Sequence, residues 1–186
     1  MSIYRLISFC QLLLFKRYIT FVMRCLVVAI LFFTTASKVD AANGDYRSIA
    51  STNWTTNTTW QADYGSGFVA ATAGDYPGKN PGTGLVTIQN NNIVSLDASI
   101  PNAIGSLTIA GTANNTGLVF DGLGAWTLSV TGATTINGPT TNAMNNYVTV
   151  SLGSFTTGSV AMINSGTATR DSYISIPSGS VTVSGN

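Results

Sequence analysis

The sequence predicts an all-β fold, a parallel β-helix entered through an aromatic-rich N-terminal cap. Three observations carry that prediction. First, "SLTIAG" (106–111), "TLSVTG" (127–132) and "SVTVSG" (180–185) superimpose, each placing two aliphatic residues at i and i+2 before a glycine. Side chains two apart in a strand share a face, so each segment offers one apolar and one hydroxyl-bearing face. Second, related short segments fill the intervals: "LVTI" (85–88), "IVSL" (93–96), "LVF" (118–120), "YVTVSL" (147–152), "SVAMI" (159–163) and "YISI" (173–176). Leu107, Leu128 and Val148 recur with a period in the low twenties. Such a period, with Gly, Asn, Thr and Ser between short strands, is a solenoid signature. Third, only 8% of the residues are charged, against roughly 25% in ordinary globular proteins. The exposed positions are therefore filled by hydroxyls and amides. The alternative is an antiparallel β-sandwich, but hairpin signals such as Asn-Gly occur only at Asn43-Gly44 and Asn137-Gly138, the second followed by Pro139.

Residues 1–41 read as a signal peptide. Lys16, Arg17 and Arg24 precede the apolar run "CLVVAILFF" (25–33), and small residues lead to a Val39-x-Ala41 cleavage site. A second apolar run, "ISFCQLLLF" (7–15), makes the leader unusually long, so translation is expected to start at Met23. The rival reading is an uncleaved N-terminal membrane anchor. Arg24 interrupts the apolar stretch and leaves it short of the roughly 20 residues a span needs. Both cysteines, Cys10 and Cys25, lie in this leader. The exported part thus has neither disulfide nor thiol chemistry.

Residues 42–84 form the cap segment and show no period. "NWTTNTTW" places Trp54 and Trp60 near Tyr64 and Phe68, and "YPGKNPGTG" (76–84) supplies turns before the first repeat strand. Two roles suit these aromatics. They can close the open end of a solenoid core, as atypical terminal repeats do. Alternatively Trp54, Trp60 and Tyr64 can stack on a glycan. Residues 85–186 are the repeats, with Leu107, Ile109, Leu128, Val130, Val148, Val150, Ile174, Ile176, Val181 and Val183 expected in the core. "NNN" (90–92) reads as a tight polar turn, with an internal asparagine ladder as the alternative. Beyond Val183 only Ser184, Gly185 and Asn186 remain. The expectation is a repeat array truncated from a longer parent, whose uncapped coil invites end-to-end self-association.

The segments "YRSIASTNWTTNTTW" (46–60), "YPG" (76–78) and "VTIQNNNIVSLDASIPNAIGSLTIAGT" (86–112) resemble a module recurrent in large secreted surface proteins of the Bacteroidetes. There a W-x(5)-W opening leads into V-T-I, a polar turn, V-x-L-D and S-L-T-I-x-G. The layout is also similar to the glycine-named G-eight domain of extracellular proteins. The resemblance covers about residues 45–125. It implies a right-handed β-helix, export and surface display, often ahead of further repeats and a C-terminal sorting domain, which this sequence does not show.

From Ala42 onward the bases are Arg47, Lys79 and Arg170, against Asp45, Asp63, Asp75, Asp97, Asp121 and Asp171, a formal charge of −3. Nucleic-acid binding, which needs clustered Lys and Arg, is disfavoured. The same stretch contains no His, Cys or Glu, which excludes His-based triads, His or Cys zinc sites and Glu acid/base pairs. The separation of Asp97 from Asp121 is close to one coil, and these two are the candidate calcium ligands. Strand-end turns account for both more simply. No other cofactor is expected. The function that fits is a non-catalytic secreted or cell-surface protein, adhesin-like or a structural stalk segment, contacting an extracellular glycan or surface protein. The alternative is a fragment of a polysaccharide-active β-helix enzyme.

Overall fold

A computed structural model describes residues 44–164 and 170–185. The leader, the cleavage site after Ala41 and the alternative start at Met23 lie outside those residues.

The strands are β1 (Tyr46–Ser48), β2 (Trp60–Asp63), β3 (Phe68–Ala70), β4 (Leu85–Ile88), β5 (Ile93–Leu96) and β6 (Ser106–Ile109). They continue with β7 (Thr116–Phe120), β8 (Thr127–Asn137), β9 (Asn145–Val150), β10 (Ser154–Ile163), β11 (Asp171–Ser175) and β12 (Ser180–Val183). A 3-10 turn, Asn57–Thr59, precedes β2. One sheet has the order β12-β10-β8-β6-β4-β1-β2-β3 and the other β11-β9-β7-β5. The chain alternates between the sheets, and every pairing from β4 onward is parallel, with one register shift between Thr157 and Ser159. The fold is a parallel β-solenoid of about three turns. Among the described residues antiparallel pairing is confined to β1–β2 and β2–β3, so a sandwich is not what forms.

Alternation inside and out follows the sequence pattern. Buried Val86, Ile88, Leu107, Ile109, Leu128, Val130 and Ile136 point inward from the larger sheet. Val94, Leu96, Leu118, Phe120, Val148 and Val150 meet them from the smaller one. Phe120 and Phe155 join the two sheets edge-to-face, with ring centroids 6.3 Å apart. Of the expected core, Ile174 and Val181 are only partly buried, while Ile176 and Val183 are 49% and 51% exposed. The reason is positional. Among the described residues no strand pairs with the outer edges of β11 and β12, so their aliphatics are covered from one side only.

Coil lengths differ from the expected period. The coil from Val86 to Leu107 keeps it, but those from Leu107 to Thr134 and from Leu128 to Phe155 are distinctly longer. "SLTI" (106–109) therefore does not stack on "TLSV" (127–130). It stacks on 134–136, while 127–130 lies against 154–157 and these in turn against 180–183. The segments look alike because every half-buried strand shares the same i, i+2 pattern. Residues 46–54, aperiodic in sequence, also form part of a coil. Tyr46 pairs in parallel with Val86 and Asn53 bridges Ser95. The intervening β2–β3 excursion hides that register.

Two columns of residues fix the corners. Asn90 and Asn91 take left-handed φ of 57° and 61°, as the polar-turn reading requires. Asn92 is buried and donates to Ser48 Oγ at 3.0 Å. In its column Asn146 is also buried, accepts from Thr116 N at 3.1 Å and donates to the carbonyls of Ala110 and Asn137. The polar-turn reading of the asparagines therefore holds, whereas no asparagine ladder forms, because Thr116 stands between Asn92 and Asn146 in that column.

The second column is glycine. Gly84, Gly105, Gly132, Gly158 and Gly185 succeed one another up the larger sheet where its long strands bend. Gly105 N donates to Gly84 O at 3.0 Å, Gly132 N to Gly105 O at 2.8 Å and Gly185 N to Gly158 O at 2.7 Å. A Cβ on Gly132 would lie 2.7 Å from Gly105 O, and one on Gly158 2.6 Å from Thr131 O. The obstacle is backbone, which cannot swing aside. Gly132→Ala should therefore cost about 1–3 kcal/mol, the usual range for overpacking. Ser129→Ala, on the exposed face of β8, should stay within about 0.5 kcal/mol. Urea unfolding midpoints at equal slope would measure both; equal stability of the two variants would contradict the close approach.

Candidate functional site

The cap aromatics are core. Trp54 and Trp60 are fully buried, with ring centroids 5.0 Å apart at 69°. Each indole N–H is satisfied internally, Trp54 Nε1 donating to Pro77 O at 2.9 Å and Trp60 Nε1 to Trp54 O at 2.7 Å. Neither ring has a face to offer, so the glycan-stacking expectation for Trp54 and Trp60 is corrected. Their size suits them to fill the space beneath the first complete coil. Tyr64 packs against the same core, and its hydroxyl donates to Asp75 Oδ2. Tyr46 donates to the same oxygen at 3.0 Å. One carboxylate thus ties β1 and the turn after β2 to the loop at Asp75.

Asp97 and Asp121 do stack on adjacent coils: Leu96 pairs with Phe120, and Asp121 N donates to Leu96 O at 3.2 Å. Their carboxylates, however, serve different partners. Asp97 accepts Thr55 N at 3.1 Å through Oδ1 and Thr55 Oγ1 at 2.6 Å through Oδ2. That pair anchors the residue following Trp54. Asp121 Oδ1 accepts Leu123 N at 2.9 Å and Trp126 Nε1 at 2.7 Å, which closes the turn that exposes Leu123. Asp45 and Asp63 likewise accept backbone N–H groups, of Leu85 and of Gly65 and Gly67.

The outward face of the smaller sheet holds what the sequence reading does not single out. Tyr147 and Tyr173 are register neighbours on β9 and β11, and their rings stack at 5.5 Å and 12°. Gly117 precedes them in the column. A Cβ there would lie 2.8 Å and 2.9 Å from Tyr147 ring atoms, so Tyr147 rests against bare backbone. Burial, then the neighbouring Tyr173, raises the Tyr147 phenol above its ordinary pKa. Tyr173 remains 37% exposed. The available signal is the shared opening of "YVTV" and "YISI".

Two outcomes test this assignment. Trp60→Ala should destabilise by about 3–5 kcal/mol, as large buried aromatics do, and a loss below about 1 kcal/mol in urea unfolding would contradict its place in the core. The second concerns Tyr46, whose phenol is raised first by burial, then by the Asp75 charge and hydrogen bond. A raised folded pKa makes the proton's contribution complete below the unfolded value, near 10, and lost as pH rises beyond it. Stability should therefore fall above about pH 10, with a shallower fall in Tyr46→Phe; parallel stability-against-pH curves for the two proteins would contradict the coupling.

Comparison with protein-family models, with curated proteins and with solved structures gave no match to this chain.

Proposed function

We propose that the chain is a non-catalytic, exported surface protein, a structural stalk or adhesin-like segment displaying an uncharged solenoid face. The observation that carries this reading is the use made of its acids. Asp45, Asp63, Asp75, Asp97 and Asp121 all accept hydrogen bonds that pin turns or join the cap to the coils. Acid/base or nucleophilic work needs a carboxylate free to meet a substrate beside a second group. Asp75, Asp97 and Asp121 are tied to their own chain. Asp45 and Asp63, which line a shallow open cleft with Gly44 and Gly65, each hold backbone N–H groups. Resemblance to secreted surface modules and the leader composition support export and display.

Self-association belongs to the same reading. Ile163, Ile176 and Val183 are about half exposed on the last described coil, beside the edges of β11 and β12, which no strand pairs among the described residues. A second copy of the chain is the occupant that this edge suits.

The purified chain, assayed on neutral and acidic polysaccharides, should release no reducing ends and form no unsaturated products. Turnover that disappears in Asp97→Ala would replace this reading with that of a polysaccharide-active β-helix fragment. In sedimentation at tens of micromolar the chain should form oligomers, and a stable monomer would remove the self-association proposal.

A further inference from the structure

The outward face of the smaller sheet is organised in columns. Asn145, Tyr147 and Thr149 alternate with buried residues along β9, and Asp171, Tyr173 and Ser175 occupy the register positions beside them on β11. Each tyrosine is thus bracketed along its strand by polar side chains two positions away, at about 6–7 Å. Tyr147 lies on the Gly117 backbone and under Tyr173, so one ring supports the other. Only one face of Tyr173 is used by that stack, and the residue is 37% exposed.

We infer that Tyr173, supported by Tyr147 and flanked by Asp171 and Ser175, is a stacking subsite for an uncharged polysaccharide. This rests on the surface-protein reading and supplies the ligand class and residues that the buried tryptophans do not. A pyranose offers an apolar C–H face and a rim of hydroxyls. The C–H face suits an aromatic ring, and the rim suits carboxylate, hydroxyl and amide groups placed beside it. Support from Tyr147 fixes the ring before binding, which lowers the ordering cost. The surroundings argue against other partners. A protein interface has a contiguous apolar centre, whereas polar columns, Asn145–Asp171 and Thr149–Ser175, flank the two tyrosines on both sides. Nucleic-acid bases also stack on aromatics but need a cationic groove. Here the charge that shares the face of Tyr173 is Asp171, and Arg170 Nε is engaged by Asn142 Oδ1 at 2.9 Å. The Asp171 carboxylate likewise favours a neutral polymer over a polyuronate, whose like charge it would repel.

Affinity electrophoresis of the purified chain through gels containing xyloglucan, mixed-linkage β-glucan, galactomannan or polygalacturonate tests the inference. At least one neutral polymer should retard the chain, polygalacturonate should not, Tyr173→Ala should weaken retardation at least tenfold, and Tyr173→Phe should keep it. To guard against loss of folding in Tyr173→Ala, the wild-type tyrosine ring resonances are followed by NMR as oligosaccharides of the retarding polymer are added. Those of Tyr173 should shift, while those of Tyr46, buried in the core, should not. Retardation unaffected by Tyr173→Ala, or shifts confined to other tyrosines, would overturn the subsite. Retardation by polygalacturonate alone would overturn the neutral ligand. No retardation by any polymer would overturn the glycan assignment, while leaving the non-catalytic reading to be judged by the turnover assay.

Discussion

Each coil of this protein is held to the next by a parallel backbone ladder in register, and that constraint decides what each position can be. Parallel strands of one chain cannot be closed by a two-residue hairpin, so the chain must travel round and return one strand spacing away. A residue then sits directly over its counterpart in the coil below. Inward columns become aliphatic, as with Val94, Leu118 and Val148. At the bend of the larger sheet the coils approach so closely that only glycine fits, and Gly105, Gly132, Gly158 and Gly185 follow. Where polar groups turn toward the core, buried amides meet them, Asn146 donating to the carbonyls of Ala110 and Asn137 and Asn92 to the hydroxyl of Ser48.

A ladder of this kind leaves an unpaired edge at each end, and the N-terminal region shows how one is closed. β1 and Asn53 lie beneath the first full coil, Trp54 and Trp60 fill the interior, and β2 and β3 switch the sheet to antiparallel pairing. Antiparallel strands break the pattern that a further coil would copy. Asp75 and Asp97 hold this arrangement through Tyr46, Tyr64 and Thr55. The aromatics are thus consumed by closure, and the stacked pair Tyr147 and Tyr173 lies instead on the outer face.

The fold is readable from the sequence because the i, i+2 pattern is local and survives any coil length. Register is not. Loops of unequal length between β4 and β12 let the coils differ in length within the larger sheet, and similar strands align equally well in wrong pairings. "SFTT" (154–157) does not stand out as a strand because Phe155 and Thr157 are its inward residues, and a buried threonine does not look apolar. Thr157 is accommodated by Thr134 Oγ1 at 2.8 Å. Aromatic residues carry the other ambiguity. Composition alone cannot tell a tryptophan that plugs a core from one that meets a ligand, and Trp54 and Trp60 differ from Tyr173 only in what surrounds them.

Register is therefore the feature on which the columns, the cap and the outer face all rest, and amide-to-amide NOEs across the larger sheet measure it directly. In-register stacking predicts contacts joining Leu128 to Phe155 and Phe155 to Val181, with Leu107 joined to Thr134. Contacts joining Leu107 to Leu128, or an antiparallel pattern between β8 and β10, would contradict it.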